Sequence, residues 1–346
     1  MSGQAFAPVL CNRRMRIQIV TPARAGSTHG NRITAVRWAS ILKQLGHRVS
    51  VTQTYDGETT EVLVALHARR SYQSIKRFHQ KHPSLPIVVA LTGTDVYRDL
   101  KTDPRTMESL EMAARIIALQ PKALDQLKRN VRAKARVIYQ SAEQVKQTQA
   151  RSSSVDNFDV CMIAHLRPVK DPFRAALATR LLPASSRIRI LQIGRAMTDS
   201  MLKRAQAEAI RNRRYRWLGE LSRSRAQRYL VRSRVCVISS RIEGGANVLS
   251  ETIVAGVPVL ASRIDGNASI LGDDYPGLFN VGDTRALANL LNRAETDSTF
   301  LDELRKRTRR LAPLFDRERE IRAWAEFIRQ LQNSYKQTAE ERQEEH

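Results

Sequence analysis

The sequence predicts an α/β protein built of two Rossmann-like domains that face a central cleft. Its 346 residues suit two domains of roughly 150 residues each. Strand-like runs rich in β-branched residues alternate with helical patterns in both halves, which is typical of parallel sheets covered by helices. Several of these strands end in polar or glycine-containing loops, and parallel sheets place such loops along one ligand-binding edge. The same pattern therefore predicts both the fold class and the position of a site.

The first predicted domain covers residues 15–150 and follows residues 1–14, which we expect to form a disordered extension. After the first strand, apolar residues recur at i, i+3, i+4 and i+7 up to Leu45, and Gly46 is expected to end that helix. Another helix is expected to begin at Pro121, because proline suits the first helical position. The predicted strands cover residues 16–20, 48–52, 62–66, 87–91, 116–119 and 137–139.

The second predicted domain covers residues 151–317, after a polar stretch from Gln140 to Asn157 that we interpret as the linker. A last helix at about residues 318–333 and a charged tail occupy the remaining segment, residues 318–346. The strands predicted in the second domain cover residues 158–163, 188–193 and 235–238, and its helices cover residues 198–211, 284–294 and 298–311.

The net charge of +24 is the most prominent feature of the composition. Such a charge attracts anions, among them nucleic acids, anionic lipids and phosphorylated small molecules. The alternative is an arginine-rich surface without a specific partner, since the basic residues are spread along the chain. Neither an RRM signature nor a zinc finger occurs, and no apolar run approaches the roughly 20 residues of a membrane span. We therefore expect no stable nucleic-acid or membrane partner.

The three cysteines are scattered along the chain and lack the spacing of metal ligands or of a disulfide framework. Cys161 and Cys236 fall inside predicted buried strands, so we interpret them as small core residues. Unpaired cysteines of this kind fit a reducing compartment, and we expect the protein in the cytoplasm.

One short stretch of the sequence contains several candidate ligand-binding residues. The predicted strand at residues 235–238 leads into Glu243 and Gly244-Gly245, where the backbone can turn sharply and approach a ligand closely. A helix then opens at Asn247 or Ser250, and its free N–H groups favour a phosphate. A second carboxylate, Glu251, stands eight positions after the first.

The segment Arg216–Asn267 resembles the donor-site signature of the family 4 retaining glycosyltransferases, which have the GT-B fold. Three elements carry the resemblance: Arg216-Trp-Leu-Gly219, the two glutamates with their glycines, and Ala255-Gly-Val-Pro-Val259. It implies a nucleotide-sugar donor, and a final helix that crosses back to the first domain. Glu251 would accept the ribose hydroxyls, and Glu243 would bind a sugar hydroxyl or face the reacting centre. The other implied donor-binding residues are His165, Leu218, Gly219, Gly244, Gly245, Ala246, Asn247 and Val248.

Glycosyl transfer places growing negative charge on the departing diphosphate, which fixed cations or helix N-termini stabilise. No Asp-x-Asp metal motif follows a predicted strand, so we expect neither a metal nor a cofactor, the UDP-sugar being a co-substrate. Arg167 and Lys170 resemble the Arg and Lys of the family, although His165 and Leu166 stand where Gly-Arg is usual. Together with Glu243 they are the predicted catalytic residues. The alternative is a pair of solvated basic residues at a helix start.

Three segments of the first domain resemble the selenosugar synthase branch of this family. They are residues 31–38, residues 65–71 and residues 90–100, and the resemblance extends over about residues 15–330. That branch joins selenophosphate to the sugar of UDP-N-acetylglucosamine in selenoneine biosynthesis and forms a 1-seleno sugar. The resemblance therefore implies these two partners, and exchange of product with other enzymes of that pathway.

The loops of the first domain supply the predicted acceptor-binding residues. Selenophosphate is a small polyanion with its own strong nucleophile, so it requires cations more than a general base. The polar and basic residues expected to bind it are Arg24, His29, Asn31, Arg32, His67, Arg69, Arg70, Thr94 and Asp95. Two alternatives stay open: a family 4 transferase with a lipid or glycan acceptor, and a non-catalytic anion-binding or nucleic-acid-binding protein on the same scaffold.

Overall fold

The computed structural model describes residues 13–144 and 157–344, with side chains up to residue 335. Most of the expected extension and most of the expected linker lie outside these ranges. The chain divides into two compact units: unit 1 comprises Met1–Gln140 and Arg317–His346, and unit 2 comprises Ser141–Asp316. Each unit is a helix-covered, six-stranded parallel sheet, which confirms the predicted α/β class. No helix in the described part of the chain is both long and apolar enough to cross a bilayer.

Unit 1 contains a sheet with the strand order β2-β1-β3-β4-β5-β6. Its strands are β1 (Arg16–Val20), β2 (Arg48–Thr52), β3 (Val62–Leu66), β4 (Ile87–Leu91), β5 (Arg115–Ala118) and β6 (Ala135–Val137). Its helices are α1 (Gly30–Gln44), α2 (Tyr72–Lys81), α3 (Leu100–Thr102), α4 (Pro104–Met112), α5 (Arg129–Ala133) and the C-terminal α13 (Arg317–Glu344). The order reverses between β1 and β3, so the loops after these two strands lie side by side at the carboxyl edge.

Two segments of unit 1 differ from the sequence-based expectation. A π-helix forms over Asp95–Asp99, where the sequence indicated only a polar loop. The segment after Pro121 is a 3₁₀ helix, Pro121–Gln126, and not an α-helix. It starts where the side chain of Gln120 accepts a hydrogen bond from the amide of Ala123 at 3.3 Å. Both short helices are also bonded to other segments, since Asp95 accepts from the amide of Ala68 and Gln120 donates to the hydroxyl of Tyr97.

The C-terminal helix completes the core of unit 1. Trp324 on α13 meets Trp38 on α1 edge to face, with the ring centroids 5.0 Å apart. The indole Nε1 of Trp38 donates to Glu320 Oε1 at 2.9 Å, and Glu320 is buried. Arg37 pairs with the same carboxylate. Helix α13 is therefore part of the hydrophobic core of unit 1.

Unit 2 has the strand order β12-β11-β10-β7-β8-β9. Its strands are β7 (Phe158–Ile163), β8 (Ile188–Ile193), β9 (Tyr215–Trp217), β10 (Val235–Ile238), β11 (Val259–Ser262) and β12 (Leu278–Phe279). Its helices are α6 (Arg174–Thr179), α7 (Asp199–Arg211), α8 (Arg223–Arg232), α9 (Asn247–Val254), α10 (Asp265–Leu271), α11 (Thr284–Thr296) and α12 (Ser298–Leu311). The order reverses between β7 and β10, which is where open α/β sheets bind ligands.

Cys161 on β7 and Cys236 on β10 face each other across this reversal as register partners. Both are fully buried, as the sequence predicted. Burial raises the pKa of both thiols, that of Cys236 to about 12. Both therefore stay protonated, and they serve as small core residues beneath the loops that carry the site.

Candidate active site

An ion pair lies at the strand-order reversal of unit 2. The ammonium of Lys170, in the loop after β7, contacts Glu243 Oε1, in the loop after β10. Ser240 donates its hydroxyl to the same oxygen at 2.6 Å. Lys170 and Glu243 are both mostly buried, with 17% and 11% of the side chain exposed. The pair therefore places one cation and one anion, whose charges balance, at the edge of the sheet where a ligand would bind.

The loop that carries Lys170 is fastened to the end of β10. A 3₁₀ turn, Pro168–Lys170, ends at Asp171, whose backbone is left-handed at φ 44°. The hydroxyl of Ser239 donates to the carbonyls of Lys170 at 3.1 Å and Asp171 at 2.8 Å. These bonds satisfy the carbonyls of a tight turn and fix the stem of Lys170. Arg167 is half-buried at the start of the same turn, and its carbonyl accepts from the Lys170 amide at 3.0 Å.

The loop that carries Glu243 is supported from behind by the start of α10. A Cβ atom at Gly266 would lie 2.3 Å from the carbonyl oxygen of Glu243, so only glycine allows this approach. Ser262 donates its hydroxyl to the carbonyl of Ser240 at 2.5 Å. The buried amide of Asn267 donates to the carbonyl of Ser262 at 2.9 Å. The position of the Glu243 backbone is thus set by β11 and α10.

Helix α9 begins at Asn247, which settles the choice between Asn247 and Ser250. Ala246 occupies the N-cap position and has no side-chain oxygen to cap the first turn. The helix follows Gly244-Gly245 directly, and Val248 lies in its first turn. The first-turn N–H groups of a helix have no partners within the helix and carry its positive dipole end. This end of α9 is therefore suited to an anion.

Glu251 lies one turn further along α9 and is paired with a residue that the sequence did not indicate. Its Oε1 is 3.4 Å from Nη2 of Arg223, the first residue of α8. Nη1 of the same guanidinium is 3.6 Å from Oε2 of Glu143. The sequence did contain one sign of helix α8, because Ser222 is a typical helix-capping residue and follows the Leu218-Gly219 element closely. Nothing in the spacing of these residues, however, indicated that the first turn of α8 would contact Glu251.

The remaining predicted donor residues, His165, Leu218 and Gly219, lie on the loops after β7 and β9, and the loop after β8 packs against both. The amide of Gly194 donates to the carbonyl of Gly219 at 2.8 Å, and a Cβ at Gly194 would lie 2.1 Å from the carbonyl oxygen of Ala164. His165 accepts from the amide of Arg195 at 3.2 Å through Nδ1. Leu218 is half-buried beside Gly219, which has φ 69°. These loops are packed tightly on one another and bring His165 and Gly219 to the same edge.

In unit 1, the loops after β3 and β4 meet at a buried histidine. His67 Nε2 lies 2.8 Å from the hydroxyl oxygen of Thr94. The backbone of His67 is left-handed at φ 72°, a strained conformation for a residue with a Cβ. Burial lowers the pKa of His67, and the nearby Asp95 and Asp99 carboxylates oppose this only in part. The imidazole is therefore neutral near pH 7.

Asp95 anchors these two loops from inside. It is fully buried, and its carboxylate accepts from the amides of Thr92 at 2.9 Å, Gly93 at 2.7 Å and Ala68 at 3.2 Å. These backbone donors satisfy the carboxylate and leave it away from the surface. Asp95 therefore organises the predicted acceptor loops through their backbones.

The predicted cations of unit 1 differ in their surroundings. Arg69 donates to Asp103 Oδ2 at 2.6 Å, and Arg105 holds the pKa of the Asp103 carboxyl well below its usual range. Arg24 and Arg70 are exposed, with neither side chain in a salt bridge among the described residues. His29 is the N-cap of α1, and Asn31 and Arg32 lie half-buried in its first turn. The charge of Arg69 is balanced locally, whereas that of Arg70 faces solvent.

No group of three or more His, Cys, Asp or Glu side chains is arranged to hold a metal within residues 13–144 and 157–344. The described site offers ammonium, guanidinium, carboxylate and backbone N–H groups. Such groups can bind a diphosphate and sugar hydroxyls.

Residues 144–312 match the family described as Glycosyl transferases group 1. No curated protein matches the chain in sequence. Among solved structures, HepE from Anabaena in complex with UDP-glucose is 15% identical, with a TM-score of 0.72 over 91% of this chain and 99% of that chain. Sucrose-phosphate synthase from Thermosynechococcus elongatus is 16% identical, with a TM-score of 0.74 over 93% and 100%.

A third similar structure is α,α-trehalose-phosphate synthase (UDP-forming) from Burkholderia xenovorans in complex with glucose-6-phosphate. It is 14% identical, with a TM-score of 0.64 over 78% of this chain and 74% of that chain. At these identities the likeness concerns the fold. The chain is thus an α/β protein of the GT-B fold, and its residues 144–312 match the family model of the group 1 glycosyl transferases.

Proposed function

We propose that this chain transfers N-acetylglucosamine from UDP-N-acetylglucosamine to selenophosphate and so forms a 1-seleno sugar for selenoneine biosynthesis. The observation that carries the transferase part is the Lys170–Glu243 pair at the strand-order reversal of a group 1 glycosyltransferase domain. The acceptor rests on the resemblance of residues 31–38, 65–71 and 90–100 to the selenosugar synthases.

Unit 2 would bind the donor. Lys170 and the first-turn amides of α9 are the groups suited to the diphosphate, whose charge grows as the bond to the anomeric carbon breaks. Glu243 would bind a sugar hydroxyl beside Lys170, and Glu251 would take the ribose hydroxyls. Binding of UDP-glucose by HepE, which has a similar fold, supports a UDP-sugar as the donor.

Unit 1 would bind the acceptor. The selenium atom of selenophosphate attacks the anomeric carbon, the carbon–oxygen bond to the β-phosphate breaks, and UDP leaves. Water then cleaves the phosphorus–selenium bond, which releases phosphate and the 1-seleno sugar. The exposed Arg24 and Arg70, with Arg32 in the first turn of α1, are the cations available to a small polyanion. Arg69 would contribute less because Asp103 balances its charge.

One assay tests the proposal. The protein is incubated with UDP-N-acetylglucosamine and selenophosphate, and UDP, phosphate and the seleno sugar are measured by mass spectrometry. Thiophosphate, glucose-6-phosphate and a plain alcohol serve as comparison acceptors. We expect equal amounts of UDP and seleno sugar with selenophosphate and little UDP with the alcohol.

Two results would contradict the proposal. UDP release that depends on glucose-6-phosphate or on a glycan or lipid, and not on selenophosphate, would assign a different acceptor within the same family. Absence of UDP release with every acceptor, together with salt-dependent binding of random DNA, would indicate a non-catalytic anion-binding protein.

A further inference from the structure

The turn that carries Lys170 is tied to the end of β10 by a buried serine. Ser239 directly follows β10, is 1% exposed, and donates its hydroxyl to the carbonyls of Lys170 at 3.1 Å and Asp171 at 2.8 Å. We infer that Ser239 is a positioning residue of the proposed reaction: by fixing the backbone of this turn, it holds the Lys170 ammonium where the diphosphate of the donor binds. This role depends on the proposed donor site.

The turn needs support from outside because its own backbone is unfavourable. Asp171 has a left-handed backbone at φ 44°, which is uncommon for a residue with a Cβ. The preceding 3₁₀ helix, Pro168–Lys170, has only three residues. Arg174, the first residue of α6, donates from Nε to Asp171 Oδ2 at 2.9 Å, and Ser239 holds the Asp171 carbonyl. The shape of the turn is therefore set by contacts with α6 and with the end of β10.

Both ends of Lys170 are attached to one loop, which consists of the residues that follow β10. Its backbone is bonded to Ser239, and the neighbouring Val169 carbonyl accepts from the Arg241 amide at 2.8 Å. Its ammonium contacts the Glu243 carboxylate, and its side chain is 17% exposed. A lysine side chain has many rotamers, so the position of its ammonium depends on a fixed backbone. A shift of the turn would therefore move the cation relative to the diphosphate.

Ser239 would act on the donor only through Lys170. Its side chain is too deeply buried to meet a ligand at the edge of the sheet, and its single hydroxyl proton is shared between the two carbonyls. Alanine at this position removes that proton and adds no new contact. The effect on nucleotide binding should therefore depend on the phosphate groups, and it should vanish once the ammonium of Lys170 has been removed.

Ser233 provides a matched control at the opposite end of the same strand. It lies just before β10, is 2% exposed, and donates its hydroxyl to the Tyr229 carbonyl at 2.8 Å. S233A therefore removes a similar buried bond between a hydroxyl and a carbonyl, but it leaves the turn of Lys170 intact. S239T retains the hydroxyl and should retain the affinity for the donor.

The experiment measures binding of uridine, UMP and UDP to the full-length protein by calorimetry. In S239A, UDP should bind roughly tenfold more weakly, which is the size expected for the loss of one charge-assisted hydrogen bond. UMP should lose less affinity, and uridine should bind as it does to wild type. S239T and S233A should keep the wild-type affinity for UDP. In a K170M protein, the further change S239A should cause no additional loss of UDP affinity.

A second variant tests the same support of the turn. R174M removes the contact with the Asp171 carboxylate and should give the same loss, graded by the number of phosphates. It takes the place of S239A if that variant does not fold.

Four results would contradict this assignment. A folded S239A protein with the UDP affinity of wild type would overturn the role of Ser239 and leave the donor site intact. Equal losses for uridine and UDP would also overturn it, because the substitution would then disturb the whole unit. A further loss from S239A in the K170M protein would show that Ser239 acts without Lys170. A wild-type protein that does not bind UDP would overturn the proposed donor site, and the role of Ser239 with it.

Discussion

The imidazole of His67 lies 2.8 Å from the hydroxyl oxygen of Thr94 and joins the loops that follow β3 and β4. Nδ1 of His67 faces the Arg70 amide at 3.4 Å, an arrangement in which the neutral ring carries its proton on Nε2. The ring then donates to Thr94, whose own hydroxyl proton stays available to another acceptor. This buried hydrogen bond therefore joins the two loops of the predicted acceptor site in addition to the contacts that Asp95 makes with both.

Replacing Thr94 with valine removes this bond and leaves the imidazole N–H of His67 buried without its acceptor. An unsatisfied buried donor costs about 1–3 kcal/mol. We expect the free energy of unfolding of Thr94→Val to fall by this amount, measured by chemical denaturation. Thr102→Val is the control, because Thr102 is exposed on α3. A Thr94→Val protein as stable as wild type would show that the bond contributes nothing to joining the loops.

The free energy of unfolding should depend on pH because two histidines are buried in the folded protein. Burial lowers the pKa of His47 and His67 below the ordinary value of 6.5. In the unfolded chain these rings bind protons as the pH falls through 6.5, while in the folded protein they resist protonation, so acid favours unfolding. The free energy of unfolding should therefore decrease as the pH is lowered from 7.5 toward and below about 6.5. His67→Asn should flatten this decrease, since asparagine tolerates the left-handed backbone and does not titrate there.

Gly266→Ala should reduce activity through the backbone of Glu243. The added Cβ would lie 2.3 Å from the carbonyl oxygen of Glu243, so the loop must move. A displacement of roughly 1 Å at a reacting group can cost about 100-fold in rate. We expect a decrease in kcat of this order, measured as UDP release.

The control for Gly266→Ala is Gly46→Ala, where a Cβ meets no atom within 4 Å but the backbone has φ 93°. That change should lower stability by about 1 kcal/mol and leave the activity of the folded protein unchanged. Equal activity of Gly266→Ala and wild type would indicate that Glu243 can shift without consequence for the reaction.

Mutation of the two neighbouring arginines in the loop after β3 should affect binding of the acceptor to different extents. Arg69 is held by Asp103, whereas Arg70 is exposed and free to meet an anion. Arg70→Ala should raise the KM for selenophosphate by roughly 10-fold, the size expected for one charge-assisted hydrogen bond, and Arg69→Ala should raise it less. Arg48→Ala is the control, because Arg48 begins β2 at the opposite edge of the sheet. If Arg48→Ala has the same effect as Arg70→Ala, the loop has no specific role in binding the acceptor.

Glu251→Ala should abolish donor binding while the protein remains folded. Glu251 is half-buried and the proposed acceptor for two ribose hydroxyls, whose loss costs at least 10- to 100-fold in affinity. Calorimetry with UDP measures the effect, and Asp302→Ala on α12, where the carboxylate is 70% exposed, should bind UDP normally. Normal affinity of Glu251→Ala for UDP would remove this residue from the donor site.

The sequence predicted the strands well where burial dictates composition. β3 and β4 are buried on both faces, so they appear as uninterrupted apolar runs, and their predicted bounds agree with the structure. The π-helix over Asp95–Asp99 and the 3₁₀ helix after Pro121 were not predicted. Each is tied to a segment that is distant in sequence, since Asp95 accepts from the amide of Ala68 and Gln120 donates to the hydroxyl of Tyr97. Local propensity contains no information about such partners.

In the candidate site, too, the sequence indicated local features but not contacts between distant loops. The spacing of Glu243 and Glu251 and the glycines between them indicated a ligand-binding turn, and the structure places Lys170 on Glu243. The pairing of Arg223 with Glu251 and of Arg69 with Asp103 could not be predicted, since each joins loops from different strands. Which cation is balanced and which is available is a property of the tertiary structure.

The position of α13 has a consequence for dissecting the protein into parts. The chain leaves unit 1 after Gln140 and returns to it at Arg317, so unit 2 is an insertion within unit 1. A gene fragment that stops at codon 140 would express a sheet whose Trp38 lacks both Trp324 and the carboxylate of Glu320. Residues 141–316, in contrast, form a continuous segment with the entire second sheet. Separating the two units by simple truncation would therefore yield unit 2 as an uninterrupted segment and unit 1 without part of its hydrophobic core.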